Sequence, residues 1–420
     1  MNEQIYTNYR LQLPNEEVLG TLVVRDGIIA DIQPGVVQHQ AHASVHSPRH
    51  WGRTTQDGEG QYLLPGLIEL HTDNLERCIS PRPGIRWPLE AAVTYHDRDL
   101  AAAGITTVCD AIAIGDVIPG ESLRKSSYDD MITSLHQRQQ SDGFLVDHHL
   151  HLRCELGYES VSDIVSQYAT HPLLALISLM DHTPGQRQFA KLDKFREYYT
   201  GKHGVSGDEL DSFIQERLKA QKEHVDKNRQ VLVEMAESHR VSMASHDDAT
   251  VEHVQQAVAE GVNISEFPTT LTAAKAAKEN GLQVLMGAPN LVLGGSHSGN
   301  VSAMDLVKLD LVDLISSDYV PHSLLQSVFV MAAITGKPVY ETMKPVTINS
   351  AMAIQMEGDR GSLEVGKRAD LLTVRYDAQN HAPNNVPNNV PNNVPNNVPN
   401  NVHRPVPQLT QVIRGNRRVA

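Results

Sequence analysis

The segment from Tyr62 to Asn74, "YLLPGLIELHTDN", is an apolar run that ends in a histidine and an aspartate. Side chains alternate along a strand, so His71 and Asp73 are expected to point the same way and Thr72 the other way. An imidazole and a carboxylate that converge in this manner are suitable ligands for a divalent cation. The alternative is a histidine packed in the core beside an aspartate that caps the following helix, and the pair alone does not decide between the two.

Other apolar runs end in residues of the same types. Glu155 follows "HLRC", His182 follows "SLMD", His246 ends "MASH" and Asp318 follows "ISS". With the first pair, five of the eight candidate strand ends carry His, Asp or Glu at the point where the apolar run stops. So many coincident residues of metal-binding type are hard to explain by core packing, and the set predicts a metal site. Taken singly, Asp318 could equally be a helix N-cap.

The elements that must position these residues are short apolar runs that alternate with segments long enough for helices. The eight runs between Leu63 and Asp318 are "LLPGLIEL", "ITTVCDAIAI", "FLVDHHLHL", "LLALISLM", "VSMASHD", "VNISEFP", "LQVLMGAP" and "VDLISSD". Alternating β and α segments predict a parallel sheet, and eight repeats predict an α/β fold of the (β/α)₈ barrel type. The clearest helix is predicted from Asp208 to His239. In such a barrel the C-terminal ends of the strands line the active site.

Both ends of the chain carry the pattern of short strands. "GTLVVRDGIIADIQPG" near the N-terminus contains apolar pairs broken by Asp-Gly and Pro-Gly turn signals, and "GSLEVGKRADLLTVRYD" and "PQLTQVIRGNRRVA" follow the barrel. These strands are predicted to join in one small β-domain. The predicted division is therefore residues 1–62 and 351–420 for the β-domain and residues 63–350 for the barrel.

Two polar segments are predicted to lie outside these elements. The histidine-rich segment from His39 to Gly60 is interpreted as a loop whose histidines face solvent. Five copies of Pro-Asn-Asn-Val run from Pro383 to Val402. Proline at every fourth position prevents a regular strand ladder and Asn-Asn favours turns, so this repeat is interpreted as a flexible, solvent-exposed expansion.

Composition excludes several classes of partner. The net charge of −14 disfavours broad binding to nucleic acid or to an anionic membrane. No apolar run approaches the ~18 residues of a membrane span, and the N-terminus has neither a basic cluster nor an apolar stretch that suggests export. The three cysteines, Cys78, Cys109 and Cys154, are far apart, which predicts reduced thiols in the cytoplasm. The sequence is compatible with a homo-oligomer and does not decide the oligomeric state.

Several motifs together resemble a known family. "LLPGLIELHTD" and "GSLEVGKRADLLTV" are similar to the first-strand motif of the amidohydrolase superfamily and to its return into a small β-domain. A narrower set resembles the phosphonate-metabolism M family of the carbon–phosphorus lyase pathway. That set comprises "HTDNLERCISPRPGIRWP", "SLMDHTPGQRQF", "ASHDDAT", "GAPNLVLGGSHSGN" and "SSDYVP". The matching segments are spread over most of the chain, and the Pro-Asn-Asn-Val repeat lies outside them.

The resemblance implies a distorted barrel of amidohydrolase type and a centre with one or two divalent ions, zinc first and manganese or iron as alternatives. The metal ligands that it implies are His71, Asp73, Glu155, His182, His246 and Asp318. Two features depart from the wider superfamily. The usual His-x-His is His71-Thr-Asp73, and neither "FLVDHHLHLRCEL" nor "PLLALISLMDH" contains a lysine that could be carboxylated, so that Glu155 is the natural bridging carboxylate. Asp318 is implied to accept a proton from water that the cation acidifies.

Two segments are candidates for binding phosphate. The loop "ERCISPRPGIRWP" carries Arg77, Arg82 and Arg86, whose forked donors suit phosphate or phosphonate. The glycine-rich segment that contains Gly294, Gly295, Ser296, His297 and Ser298 precedes an apparent helix start near Asn300 or Ser302, where backbone amides could approach an anion. Glycine-rich segments are also common as ordinary turns, and surface arginines commonly bind nothing.

The residue chemistry alone indicates metal-dependent hydrolysis of a small anionic molecule. The resemblance narrows the expected reaction to hydrolysis of α-D-ribose 1-methylphosphonate 5-triphosphate, with release of pyrophosphate and formation of the 5-phosphate. One alternative is an amidohydrolase that acts on a cyclic amide or an N-acyl group, which has no need of two phosphate-binding segments. A second alternative is a non-catalytic scaffold stabilised by metal, which has no use for a proton acceptor at Asp318.

Overall fold

A computed structural model of the chain describes residues 2–36, 53–82, 84–115, 128–187, 192–203, 206–295, 299–377, 405–415 and 417–420. The Pro-Asn-Asn-Val repeat and most of the histidine-rich segment lie outside the described residues. So do three residues of the predicted phosphate-binding segment, namely Ser296, His297 and Ser298. The described residues form two sheets, with helices packed around one of them.

Eight parallel strands within the described residues form one sheet in which neighbours in sequence are neighbours in space. These are β6 (Leu67–Thr72), β7 (Ile105–Ile114), β8 (Asp147–Glu155), β9 (Leu174–Met180), β10 (Ser242–His246), β11 (Ile264–Glu266), β12 (Gln283–Gly287) and β13 (Leu314–Ser316). Each strand overlaps one of the eight apolar runs of the sequence. The predicted (β/α)₈ barrel is therefore confirmed.

The barrel closes between its first and last strands. Asp318, just after β13, forms a parallel bridge with Thr72, and its backbone N–H donates to the carbonyl of His71 at 3.2 Å. The buried carboxylate of Glu69 strengthens this seam, because it accepts from the backbone N–H of His71 at 2.7 Å and from that of Ser317 at 2.6 Å. The closure brings the end of β6 and the end of β13 together.

Helices follow most of the barrel strands. They are α1 (Asn74–Ile79), α2 (Leu89–Ala102), α3 (Tyr128–Gln140), α4 (Val161–Ser166), α5 (Leu192–His203), α6 (Gly207–His239), α7 (Val251–Ala259), α8 (Leu271–Glu279), α9 (Ala288–Leu293), α10 (Ala303–Lys308), α11 (Ser323–Thr335), α12 (Val339–Thr342), a 3₁₀ turn (Lys344–Val346) and α13 (Ile348–Ala353). The helix predicted from Asp208 to His239 is confirmed as α6. Within the described residues no helix has the length and apolar character needed to cross a membrane.

The second sheet is mixed and takes strands from both ends of the chain. Its strands are β1 (Glu3–Gln12), β2 (Glu17–Arg25), β3 (Ile28–Pro34), β4 (Arg53–Asp57), β5 (Tyr62–Pro65), β14 (Leu371–Arg375), β15 (Gln408–Arg414) and β16 (Arg417–Arg418). β14 and β15 are antiparallel neighbours, and Arg375 lies opposite Gln408. The expectation of a small β-sheet built from both chain ends is confirmed.

One part of the predicted N-terminal loop is wrong. Residues Arg53 to Asp57, "RTTQD", form β4, which pairs with β1 in parallel. The segment has no alternating apolar pattern, so nothing in its sequence indicates a strand. The strand forms because its backbone groups pair with those of β1, and this pairing requires hydrogen bonds rather than an apolar face.

Gly66 marks the passage between the two sheets. It separates β5, which belongs to the second sheet, from β6, which belongs to the barrel. A Cβ atom at this position would lie 2.1 Å from Oγ1 of Thr106, so a larger residue would force β7 away. The predicted domain boundaries at residues 62/63 and 350/351 stay a prediction.

The barrel interior is apolar at one end and polar at the other. The apolar layer contains Ile68, Leu70, Cys109, Leu176, Ala244, Ile264, Leu285 and Leu314, and Ile354 packs against it. On three strands the residue two positions further on is polar: Ser178 on β9, His246 on β10 and Glu266 on β11. The polar groups therefore gather at the C-terminal ends of the strands, where a barrel places its active site.

Strand β6 reaches this polar layer through an irregularity. Ile68 and Leu70 belong to the apolar interior, and strict alternation would then send His71 outward. The pairing of β6 with β7 shifts register between Glu69 and Thr72. A bulge of this kind redirects a side chain, and the ring of His71 lies 5.0 Å from the ring of His151 inside the barrel.

A buried ionic network fixes helix α2 against the outer face of β7 and β8. The carboxylate of Asp110 accepts from His96 Nε2 at 2.6 Å and from His148 Nδ1 at 2.7 Å. His148 Nε2 lies 3.3 Å from Asp97 Oδ1. Burial alone would lower the pKa of His148, but the two carboxylates raise it to about 9. His148 is therefore a cation in the folded protein at neutral pH.

This network predicts a loss of stability in alkali. A histidine whose pKa is raised on folding stabilises the protein fully below its unfolded pKa of about 6.5, and that contribution disappears as the pH rises through about 9. Between about pH 6 and about pH 9.5, the free energy of unfolding measured by thermal unfolding should fall on the order of 3 kcal/mol further in the wild type than in His148→Gln. His239→Gln, which alters an exposed histidine, should lose as much as the wild type. Parallel curves for the wild type and His148→Gln would contradict the assignment.

Candidate metal centre

Glu266 is the central group of the polar layer. It is the last residue of β11 and its side chain is fully buried. One carboxylate oxygen accepts from His71 Nδ1 at 2.6 Å, and the other accepts from His246 Nδ1 at 2.7 Å and from Ser178 Oγ at 2.7 Å. Because Nδ1 of each histidine donates to the carboxylate, Nε2 of each ring is left as the atom able to bind a metal.

The charges in this group support one another. Burial alone would raise the pKa of Glu266, but its interactions with His71 and His151 and the hydrogen bonds from His246 and His71 hold that pKa well below the ordinary value. Burial would lower the pKa of His71, and the carboxylate of Glu266 raises it instead. The carboxylate is therefore ionised, which is the state in which it can orient two imidazoles.

A second group of ligand atoms lies beside the first. Nε2 of His246 and Nε2 of His182 lie 3.4 and 3.7 Å from Oδ2 of Asp247, and the three residues could share one ion. Burial acts to lower the pKa of His182, but the carboxylates of Glu155 and Asp247 raise it to about 10. A cation at this position would take the place of that proton.

Three strand ends reach the centre through unusual backbone geometry. Asp247, Phe267 and Asp318 follow β10, β11 and β13 and have φ values of 56°, 53° and 52°. The N–H of each still donates to the neighbouring strand, to the carbonyls of Glu266, Leu285 and His71 respectively. Left-handed conformations cost about 1–2 kcal/mol per residue away from glycine, and such strain accumulates at functional sites.

Asp73 has the properties of a ligand rather than of a helix cap. It occupies the N-cap position of α1 but makes no capping hydrogen bond with its side chain. Its Oδ1 is a buried atom that has no hydrogen-bond partner within the part of the chain that the structure describes. Such an atom is costly in the folded protein unless another group completes it. The capping alternative for Asp73 is therefore not what the structure shows.

Asp318 lies among the same groups. The nearest helix to follow it, α11, has its N-cap at His322, so Asp318 does not cap it. Its carboxyl group interacts electrostatically with His71, Asp73 and Arg153, among others. Burial and the like charge of Asp73 raise the pKa of Asp318 above its ordinary value, against the opposing effect of the cations.

These residues fit a divalent metal ion. An orphaned carboxylate oxygen on Asp73, two imidazole Nε2 atoms near Asp247 and a carboxylate that fixes the histidine tautomers are the features of a histidine and carboxylate metal site. Of the six predicted ligands, His71, Asp73 and His246 are near enough to Asp318 for their charges to shift its pKa, and the ring of His182 lies 5.7 Å from that of His246. The role of these residues as metal ligands stays a prediction.

Glu155 has more partners than a simple ligand needs. One of its oxygens accepts from His182 Nδ1 at 2.7 Å. The other accepts from the backbone N–H of His182 at 3.2 Å and lies 3.4 Å from Nη2 of Arg217, on the long helix α6. Its predicted role as a bridging carboxylate stays a prediction. In the described contacts it orients His182.

The pattern of strand ends overlooked two residues. Glu266 ends the run "VNISE" and satisfies the rule that selected the other candidates, so the same signal was present there. Asp247 is adjacent to His246, and alternation would point it away. Only its positive φ brings its carboxylate to the same side, and the sequence does not reveal that conformation.

The predicted arginine loop makes contacts of its own. Arg77 donates from Nη1 to the carbonyl of Tyr319 at 2.6 Å, which ties α1 to the chain next to Asp318. Nη2 of Arg86 lies 3.7 Å from Oδ2 of Asp130, and both side chains are exposed. Arg82 is exposed and bridges Ile85 through its backbone. Phosphate binding by this loop stays a prediction.

The described part of the glycine-rich segment forms a helix end. Gly294 is the left-handed C-cap of α9, and the N–H groups of Gly294 and Gly295 both donate to the carbonyl of Asn290 at 3.0 Å. These two amides are therefore not open to an anion in this conformation. The next helix, α10, has Ser302 as its N-cap, in agreement with the expected helix start.

Replacement of Glu266 tests the centre. Glu266→Gln should lower metal affinity about 10- to 100-fold, because a neutral amide orients the two histidines less well than a carboxylate does. Metal content after desalting, measured by mass spectrometry, reports the change. Glu279→Gln, at an exposed position of α8, is the matched control. Retention of metal by Glu266→Gln at the level of the control would contradict the central role of Glu266.

Comparison with known proteins finds a relative that aligns with most of the chain. The chain is 41% identical over 379 residues to the α-D-ribose 1-methylphosphonate 5-triphosphate diphosphatase of Escherichia coli K12, an alignment that covers 90% of this chain and 96% of the relative. No protein-family profile matches.

Solved structures agree with the fold. Molinate hydrolase has a TM-score of 0.61 at 12% identity, with 99% of this chain and 94% of that chain covered. The N-acetylglucosamine-6-phosphate deacetylase of Pasteurella multocida has a TM-score of 0.55 at 14% identity, with 88% and 95% covered. The chain thus belongs to the α-D-ribose 1-methylphosphonate 5-triphosphate diphosphatase family.

Proposed function

We propose that the protein hydrolyses α-D-ribose 1-methylphosphonate 5-triphosphate to the 5-phosphate and pyrophosphate, as a step of phosphonate catabolism. The observation that carries this proposal is the 41% identity to the diphosphatase of Escherichia coli over nearly the whole of both chains. The polar layer at the C-terminal end of the barrel supplies the chemistry that such a reaction needs.

The residues suited to hold the cation are His71, Asp73, His182, His246, Asp247 and Asp318, with Glu155 as the proposed bridge. The chemistry that a bound divalent cation supplies is acidification of water and polarisation of phosphate oxygens. We propose one or two ions of zinc, with manganese and iron as alternatives, since mixed imidazole and carboxylate donors suit all three metals. A cytoplasmic location, expected from the separated cysteines, stays a prediction.

Asp318 is proposed to accept the proton of the attacking water. Its backbone is held from two sides, because its N–H donates to the carbonyl of His71 and its carbonyl accepts from Thr72 Oγ1 at 2.8 Å. Arg77 fixes the next residue through the carbonyl of Tyr319. A raised pKa makes the ionised carboxylate a stronger base than an ordinary aspartate.

No observation specifically favours either alternative function, the amidohydrolase or the non-catalytic scaffold stabilised by metal. The likeness to other hydrolases of this fold is at 12–14% identity and therefore supports the fold alone. A metal-stabilised scaffold without catalysis would also complete the buried oxygen of Asp73, but it has no use for a proton acceptor at Asp318.

ATP is an accessible substitute for the phosphonate triphosphate and tests the bond that is cut. Metal-loaded protein should convert ATP to AMP and pyrophosphate, as followed by phosphorus NMR, and chelation should abolish the conversion. The control is protein stripped of metal and reloaded. Formation of ADP and orthophosphate would contradict the proposed cleavage between the α and β phosphates.

Asp318→Asn tests the proton acceptor. The amide cannot take a proton, so kcat should fall about 10²- to 10⁴-fold while KM changes little. Metal content must be measured in the same preparations, because Asp318 is also a proposed ligand. A variant that keeps its metal and the kcat of the wild type would exclude the role given to Asp318.

A further inference from the structure

Arg153 lies inside the barrel, between two residues of the centre. It is on β8 two positions after His151 and two before Glu155, so all three side chains point to the same face. The opposite face of this strand, Leu152 and Cys154, packs in the outer core. The side chain of Arg153 is therefore directed towards the polar layer.

Carboxylates surround Arg153 without binding it directly. Its guanidinium interacts electrostatically with Asp73, Glu76, Glu266 and Asp318. Among the described residues, however, it forms no ion pair within 4.0 Å, and its Nε is a buried atom with no hydrogen-bond partner. A guanidinium carries five N–H donors, so this cation retains hydrogen-bonding capacity inside the site.

Other buried arginines of the chain show what a purely structural role looks like. Arg187 donates to Asp248 Oδ1 at 2.6 Å and to the carbonyl of His246 at 2.8 Å. Arg360 donates to Asp147 Oδ2 at 2.8 Å. Both are paired at hydrogen-bond distance, as burial of a charge ordinarily requires. Arg153 differs from these two arginines, because carboxylates balance its charge without contacting it and its N–H donors have no acceptor among the described residues.

We propose that Arg153 is a catalytic residue that binds a non-bridging oxygen of the triphosphate beside the bond that is cut. This inference rests on the proposed function. It places a phosphate-binding residue inside the barrel, separate from the predicted arginine loop. A guanidinium matches two phosphate oxygens with two parallel donors, which a lysine cannot do.

The step conserves atoms and charge. The oxygen of water forms a new bond to phosphorus as the bridging P–O bond breaks, and the electron pair leaves with the bridging oxygen on the departing phosphate group. The proton of water passes to Asp318. Arg153 donates hydrogen bonds throughout and changes neither bonds nor protonation, so its contribution is to stabilise charge that grows on the phosphate oxygens.

Two variants test the proposal, with Arg98→Gln, at an exposed position of α2, as the matched control. Arg153→Gln should keep the metal content of the wild type, bind inorganic triphosphate at least about tenfold more weakly by calorimetry, and lose about a hundredfold or more in kcat on ATP. Arg153→Lys retains the charge and loses the fork. It should bind inorganic triphosphate nearly as well as the wild type and still lose about tenfold in kcat.

The outcomes separate this inference from the function on which it rests. If Arg153→Gln and the control have equal affinity for triphosphate and equal kcat, the inference about Arg153 is wrong. The proposed function would still be upheld by release of pyrophosphate from ATP by the wild type. Loss of metal or of folding in both Arg153→Gln and Arg153→Lys would also overturn the inference, because Arg153 would then be a structural counter-charge. Weakened triphosphate binding in Arg153→Gln, with no pyrophosphate from the wild type, would uphold the anion site and reject the function.

Discussion

The centre depends on one buried carboxylate that serves two imidazoles at once. Glu266 binds Nδ1 of His71 and Nδ1 of His246, residues that are 195 and 20 positions away in sequence. An ionised group without solvent is stable only when it is paired and hydrogen-bonded, so the fold must deliver both histidines to it together. The barrel closure, the bulge in β6 and the left-handed ends of β10, β11 and β13 all serve this requirement.

The second constraint is the balance of charge. Five carboxylates gather at the strand ends, those of Asp73, Glu155, Asp247, Glu266 and Asp318, in a chain whose net charge is already −14. Protonated histidines and arginines offset part of this charge in the absence of a metal. A polyanionic substrate adds more negative charge, so a site of this kind needs cations that remain available when the substrate arrives.

Local sequence patterns were sufficient for the barrel because each strand is a compact apolar run that ends in a polar residue. The same patterns indicated His71, Asp73, His182, His246 and Asp318, since the ends of parallel strands meet at one face. They could not indicate Asp247, whose orientation depends on a positive φ, or the bulge that turns His71 inward. Arg153 lies on the same face of β8 as Glu155, but it is not at a strand end or in a loop, so neither pattern indicated it.

The pairing of β14 with β15 has a consequence for the growth of the chain. Arg375 and Gln408 are partners across two antiparallel strands, so the two ends of the intervening segment are fixed side by side in the sheet. Whatever conformation those residues take, their number does not alter the register of the strands. The gene can therefore gain or lose copies of a four-residue unit at this point without disturbing the barrel, and the same point would accept an inserted peptide or label.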